Sequence, residues 1–478
     1  MNYRMMLYIM GRIMQVEALL LLIPMLVAVF YQESVTAFLA TILLLAAMGT
    51  LMTLHPPKRR SFYAREGFLS VALSWVVLSF CGSLPFFFSG AITSLADCFF
   101  ETVSGFTTTG ASVLTNVEAM GKGLLFWRSF THWIGGMGVL VFVMAVIPLA
   151  DDRSMHLMRA EVPGPTVGKL VPKVRQTAAI LYGIYLAMSA LQVILLLCGG
   201  MPFYESLVYT FGTAGTGGFA LTSQGLGSYS PYIQWVITIF MVLFGINFNL
   251  YYFVLLRRWK DVWKSEELRW YLLIILGAIV LISVDIYPRV GHIHDTVRTA
   301  AFQVSSIMTT TGYATADFNL WPEFSRCILV LLMFIGACAG STAGGIKISR
   351  LILLFRMARR DIHRLLHPRS VQALRLEHKN VDEETIRGAM TFFILYIVLL
   401  LVSILLVSLN GYDFTSNTTA VITCLNNVGP GLGMVGPMGS FASYSWFSKL
   451  VLSLDMLFGR LEIFPMILLL SPSTWRRK

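Results

Sequence analysis

Thr107-Thr108-Thr109-Gly110-Ala111 carries a local grammar of Thr or Asn, one residue, Gly and then a non-polar residue, and that grammar returns three more times. The echoes are Thr216-Gly217-Gly218-Phe219, Thr310-Thr311-Gly312-Tyr313 and Asn427-Val428-Gly429-Pro430. Each follows an apolar segment too short to cross a bilayer and precedes one long enough to do so, the layout of a re-entrant pore loop between two spanning helices. The glycines Gly110, Gly218, Gly312 and Gly429 recur about every one hundred residues, an internal period that marks duplicated units. The expectation is four diverged copies of helix, pore loop and helix around one central axis.

Composition sets the class. Of 478 residues, 56% are hydrophobic and 13% charged, with a mean hydropathy of +0.71, so charges are too few to cover a soluble surface. The chain reads as an all-α polytopic membrane protein. Its net charge of +11 could point to nucleic acid, but most of the 36 basic residues fall on the side bearing the N-terminus, Lys58-Arg59-Arg60, Arg257-Arg258, Arg359-Arg360 and Arg476-Arg477-Lys478. That asymmetry makes this side cytoplasmic, with both termini on it, and accounts for the charge without nucleic acid. The six cysteines show no CxxC spacing and read as buried thiols. His292 and His294 are a weak metal signal in an outer loop. No nucleophile constellation, nucleotide motif or soluble domain is present, so an enzyme is not expected.

In chain order, residues 1–60 form an accessory hairpin with Glu33 at its turn. The four repeats are expected at 61–175, 176–265, 266–385 and 386–478, giving ten crossings and four half-crossings. The second spans are read as about Leu124 to Leu149, Tyr232 to Leu256, a long one from Pro322, and Trp446 to Leu470.

The loops suit a monovalent cation. No charged side chain stands in them, which excludes a charged-ring filter; they offer backbone carbonyls, with Gly permitting the dihedrals that turn those carbonyls inward. The candidate ion-binding residues are therefore Thr108, Thr109 and Gly110, Thr216, Gly217 and Gly218, Thr310, Thr311 and Gly312, and Asn427, Val428 and Gly429. Each half-helix would add its negative C-terminal end, worth about 0.3 to 1 kcal/mol. The alternative is that these stretches are only helix-packing turns.

A second feature is the run Gly336 to Lys347, rich in Gly336, Gly340, Ser341, Thr342, Gly344 and Gly345. Each interior Gly costs about 1 kcal/mol in a helix, so the run is expected to break the third repeat's second span and form a gate under the filter. Close packing by small residues is the alternative, and a phosphate-binding loop would need Lys where Ile346 stands. Lys347 at its end is expected to snorkel to the inner interface. Arg460, inside the last span, would be a cationic barrier below the filter, or else a structural ion pair with Asp455 or Glu462. Asn247 and Asn249 are expected to cross-link helices.

Six motifs in order, ETVSGFTTTGAS (101–112), HWIGGMGV (132–139), FGTAGTGGFA (211–220), SSIMTTTGYAT (305–315), GSTAGGIK (340–347) and FGRLEIFP (458–465), resemble the Trk-type potassium uptake subunits, within the superfamily that includes KtrB and plant HKT transporters. The resemblance spans the whole chain, including the N-terminal hairpin. It implies a potassium translocator of the bacterial inner membrane, with K+ at the loop residues named above, usually a homodimer, controlled by a cytosolic ring of TrkA-like subunits that bind NAD or ATP, with no nucleotide on this chain itself. It places the family's intramembrane loop at 336–345 and its filter-facing arginine at Arg460. The fourth stretch departs from the T-x-G form at Asn427 and Pro430. A membrane scaffold or sensor that has lost conduction is the other functional reading; four intact glycines speak against it.

Overall fold

The computed structural model describes residues 3–55, 64–138, 174–370, 372–377 and 379–475. Tyr3–Leu20 (α1) and Leu22–Phe30 (α2) run on as one apolar rod, and Thr36–Thr53 (α3) returns against it. The first unit follows as Ala64–Phe88 (α4), the short helix Leu95–Phe106 (α5) and Lys122–Gly136 (α6). The second is Val174–Cys198 (α7), Phe203–Gly215 (α8), then Pro231–Phe244 (α9), Phe248–Leu255 (α10) and Trp259–Lys264 (α11). The third is Glu266–Val290 (α12), Ile293–Met308 (α13), Glu323–Ile335 (α14) and Ile348–Leu366 (α15), closed by a small antiparallel ribbon of Arg375–Leu376 (β1) and Lys379–Asn380 (β2). The fourth is Glu383–Val407 (α16), Phe414–Leu425 (α17), Trp446–Arg460 (α18), Phe464–Leu470 (α19) and Pro472–Trp475 (α20).

Among the described residues, six helices are long and apolar enough to cross a membrane, namely the two hairpin arms and the first helix of each unit. The second helices are not the continuous spans expected. α9 and α10 meet at 93° across Gly245-Ile246-Asn247. α14 and α15 are separated by the non-helical run 336–347, and α18 and α19 by Leu461 to Ile463, where Glu462 and Ile463 take positive φ. α6 ends at Gly136; the rest of the expected Leu124 to Leu149 span, the loop after it, Lys58 to Arg60 and Arg476 to Lys478 lie outside the described residues. Among the described residues, the break expected in one unit thus occurs in three.

The four short helices share a design. Each carries an acid at its N-terminal end, Asp97, Glu205 and Asp295 in the first turn and Asp413 as N-cap, which complements the positive end of the helix dipole. Their C-terminal halves are buried. Four of the six free cysteines are buried as expected, whereas Cys198, the last residue of α7, and Cys327, in the first half of α14, are exposed.

The N-terminal hairpin docks through Glu33. Its carboxylate accepts from the N–H groups of Lys122 (2.6 Å) and Gly123 (2.9 Å), capping α6 from 89 and 90 residues away. Four orphan donors at a helix start make such a cap worth about 0.5 to 2 kcal/mol. Accordingly, Glu33→Ala should lower stability by about 1 kcal/mol, read as a lower thermal unfolding midpoint in detergent; an unchanged midpoint would remove Glu33 from the docking of the hairpin.

Candidate functional site

The end of each short helix is built alike. In the first, the N–H of Thr108 donates to the carbonyl of Gly105 and that of Thr109 to Ser104 (2.9 Å). The same i−3 and i−5 pair recurs as Thr216 to Thr213 and Gly217 to Gly212 (2.8 Å), Thr310 to Ile307 and Thr311 to Ser306 (2.8 Å), and Asn427 to Cys424 and Val428 to Thr423 (2.8 Å). This is a Schellman closure, which needs a left-handed residue just past the helix. Thr108, Thr216, Thr310 and Asn427 supply it with φ of 56°, 56°, 54° and 54°. A β-branched residue in that region is rare and costs on the order of 1–2 kcal/mol, a strain that clusters at functional sites.

Two residues later the backbone is left-handed again, at Gly110, Gly218, Gly312 and Gly429. A Cβ at Gly110 would collide with the carbonyl oxygen of Gly217, at Gly218 with that of Thr311, at Gly312 with that of Val428, and at Gly429 with that of Thr109, at 2.6 Å. Each glycine therefore touches the residue before the next unit's glycine, and the fourth returns to the first. The four predicted stretches are brought together as a closed ring. Outside it, the loops are joined in the same order: Ser223 to Glu118, Leu226 N–H to the Ala314 carbonyl (2.9 Å), Gly433 N–H to Asn319 (3.0 Å), and Phe441 N–H to the Ser112 carbonyl (2.8 Å).

A cavity of about 380 Å³ opens directly outside the ring and touches all four glycines, with Arg128, Phe219 and Tyr313 among its walls. At the rim, the Ser223 N–H and hydroxyl, each at 2.7 Å, hold the Glu118 carboxyl below its usual range and keep it charged.

Behind the first two stretches sits a cluster that sequence reasoning passed over. Arg128 donates to Glu101 at 2.6 Å, both buried, and its guanidinium lies 3.5 Å from the Phe219 ring centroid. Glu101 also accepts from Ser112 Oγ and Val113 N–H, both at 2.9 Å, fixing the strand after Gly110. One turn on, His132 Nδ1 bonds the Gly105 carbonyl at 2.8 Å and its ring packs on Phe219 at 4.2 Å. The signal was available: ionisable residues inside apolar segments mark function or its support. In the fourth stretch Asn427 Nδ2 donates to Thr109 Oγ1 (3.0 Å) and the Met456 carbonyl (2.9 Å), a cross-link that a Thr could not reach.

Below the ring lies the run 336–347. Its Gly344 N–H donates to Thr310 Oγ1 at 2.7 Å, and a Cβ at Gly344 would strike the Asn426 carbonyl. Gly336, Gly340 and Gly345 are left-handed. The run rests on the break in the second unit, with Cys338 N–H on the Gly245 carbonyl, Phe248 N–H on the Gly340 carbonyl and Thr342 Oγ1 on the Phe244 carbonyl. Asn247 caps α10 through its side chain (2.9 Å to Asn249 N–H) and lies against Gly340, so it orders this break. Ser341 Oγ turns back to the Cys338 carbonyl. Lys347 does not reach the interface: it is buried, with its ammonium folded onto the Ala343 carbonyl.

Arg460 joins these parts. It donates to the carbonyls of Gly135 (2.6 Å), Gly136 (2.7 Å) and Thr342 (2.7 Å) and to Thr108 Oγ1 (3.3 Å). The first and third units lie opposite each other in the ring, so this arginine of the fourth unit ties the two together. The carboxylates considered as partners are engaged elsewhere, Glu462 by Arg350 and Asp455 by Ser403 Oγ at 2.7 Å.

A family model described as "TrkH: Cation transport protein" matches residues 34–477. The chain is 36% identical to the Trk system potassium uptake protein TrkH of Salmonella typhimurium, covering 100% of both chains, and 33% identical to the Trk system potassium uptake protein TrkG of Escherichia coli K12, covering 98% of this chain and 97% of that one. The crystal structure of the potassium transporter TrkH from Vibrio parahaemolyticus superposes with a TM-score of 0.89 at 32% identity over 100% of both chains. With its family matched almost end to end and its fold shared with a solved member, the chain belongs to the TrkH family of cation transport proteins.

Proposed function

We propose that the chain carries potassium into the cell across the bacterial inner membrane, through a filter formed by the four T-x-G-type stretches. The closed ring of glycine-to-carbonyl contacts is the observation that carries this reading. Backbone that alternates positive, negative and positive φ over three residues turns successive carbonyls to one side, and rings of carbonyls replace the hydration of a monovalent cation. Thr108–Gly110, Thr216–Gly218, Thr310–Gly312 and Asn427–Gly429 are the proposed K+ ligands, in repeats bounded at 61–175, 176–265, 266–385 and 386–478. The potential suffices as driving force, since a cation entering at about −150 mV gains about 3.5 kcal/mol.

The run 336–347 and Arg460 are the proposed gate. A guanidinium hydrogen-bonded across the inner mouth is a fixed positive charge on the path of a cation, and the run beneath Thr310 is held by single hydrogen bonds that can be exchanged. Displacing either opens the path. The name "Trk system" borne by the relatives supports a partner, which we take to be a TrkA-like cytosolic subunit binding NAD or ATP and acting on a homodimer of this chain, with both termini cytoplasmic.

Uptake into proteoliposomes at an imposed inside-negative potential tests the reading. Gly110→Ser places a Cβ at φ 79° against the Gly217 carbonyl; it should cut potassium and rubidium flux at least about tenfold, equivalent to roughly 1.4 kcal/mol, and raise the sodium share. Unchanged flux and selectivity in the folded variant would refute the filter. Arg460→Ala should raise potassium flux by up to about tenfold with the potassium-to-sodium ratio unaltered, and deletion of 340–343 should likewise raise it; lower flux from folded protein would make Arg460 a structural tie.

A further inference from the structure

Arg356, Arg359, Arg360 and His363 stand at i, i+3, i+4 and i+7 of α15 and so share one face of that helix. Facing them is the chain leading into β1, with Gln372 and Arg375. Between the two lies a cavity of about 460 Å³, at the end of the third unit remote from the ring. Four guanidinium groups line it and no carboxylate does, among the described residues.

The carboxylates that pair with these arginines are not among the residues lining the cavity. Glu266 pairs with Arg356 at 2.9 Å, and Arg360 pairs with Asp361 (3.2 Å) and Glu383 (3.3 Å). Arg359 is exposed and has no carboxylate partner among the described residues; Arg375 bonds the amide oxygen of Asn380 at 3.3 Å. Arg356 also donates to the Arg375 carbonyl, which locks helix to ribbon. Two of the arginines lining the cavity are thus anchored with their charge partly answered, and two, Arg359 and Arg375, line it with no carboxylate partner among the described residues. Fixed guanidinium forks around a concave surface are the geometry that recognises phosphate oxygens. The neighbouring face of α15 exposes Phe355 and Ile362, an amphipathic arrangement that suits a membrane surface.

We propose that the cleft between α15 and the 375–380 ribbon is a binding site for a phosphate-bearing anion, contacted by Arg359 and Arg375 and braced by Arg356 and Arg360. The phosphate can belong to an anionic lipid headgroup of the inner leaflet or to a soluble phosphate compound. The site is wired to the interior. Arg356 holds Glu266, and the next residue, Glu267, accepts from Ala339 N–H (2.8 Å) within the intramembrane run and Ser349 N–H (3.1 Å) in the first turn of α15 just after it. Glu377 of the ribbon caps the same helix start through Ser265 Oγ and Glu267 N–H, both at 3.0 Å. An occupant that braces α15 and the ribbon therefore braces the run through Ala339 and the helix that follows it through Ser349. Binding at this site does not depend on conduction.

The test uses the full chain in neutral maltoside micelles, with fluorescent phosphatidylglycerol as probe, phosphatidylcholine as neutral control and inorganic pyrophosphate as competitor. Saturable phosphatidylglycerol binding is expected, weakened about tenfold or more in Arg359→Ala/Arg375→Ala and largely kept in Arg359→Lys/Arg375→Lys; phosphatidylcholine should not bind there. Displacement by pyrophosphate would show that soluble phosphates share the site, and no displacement would assign it to lipid. Arg359→Ala alone, at an exposed position, gives the same reading with a smaller loss should the double variant be unstable. The proposal is overturned if the wild-type chain binds neither probe saturably, or if both alanine variants bind as the wild type does.

Discussion

Four chain segments close into a ring at this spacing only where nothing projects from the points of contact, and the remainder of the molecule is arranged to meet that condition. A methyl group at Gly110, Gly218, Gly312 or Gly429 would occupy the position of a neighbour's carbonyl oxygen. The condition is steric before it is electrostatic. It also dictates the residue two places earlier, where Thr or Asn accepts a left-handed backbone so that the helix can stop and the chain can turn back outward.

Such strain persists only when the surroundings over-determine it. Here they do so from several directions. Glu101, Arg128 and His132 join the first two stretches from behind, packing on Phe219, Asn427 ties the fourth to the first, and Lys449 holds Asp97 at the start of α5 at 2.7 Å. Arg460 solves a second problem by the same means. A cation at membrane depth is expensive unless it finds acceptors, and the last-turn carbonyls of α6 at Gly135 and Gly136 are acceptors at the negative end of a helix. Backbone carbonyls therefore take the place of water around its guanidinium at that depth.

Much of this was legible in the sequence because it is local. The six long spans, the four half-helices and the glycine period follow from runs of residue types, and the run 336–347 announces itself by its glycine content. The breaks at Gly245-Ile246-Asn247 and Leu461 to Ile463 did not, since one or two polar residues inside an apolar run leave hydropathy almost unchanged; only the docking of Cys338 and Thr342 on the first break gives it a purpose. Lys347 was misplaced for a related reason. Snorkelling assumes a path to the interface, and burial against Ala343 removes it. Long-range pairs such as Glu33 with α6, or Glu101 with Arg128, carry no pattern along the chain beyond a charge where none is cheap.

Anomalous scattering from crystals of the chain grown or soaked in rubidium would probe the ring most directly. If the four stretches are a carbonyl-lined filter, rubidium peaks will lie on the axis between the segments 108–110, 216–218, 310–312 and 427–429, and sodium will diminish them poorly as a competitor. Rubidium bound elsewhere, with the axis vacant at saturating concentration, would contradict a filter at this ring.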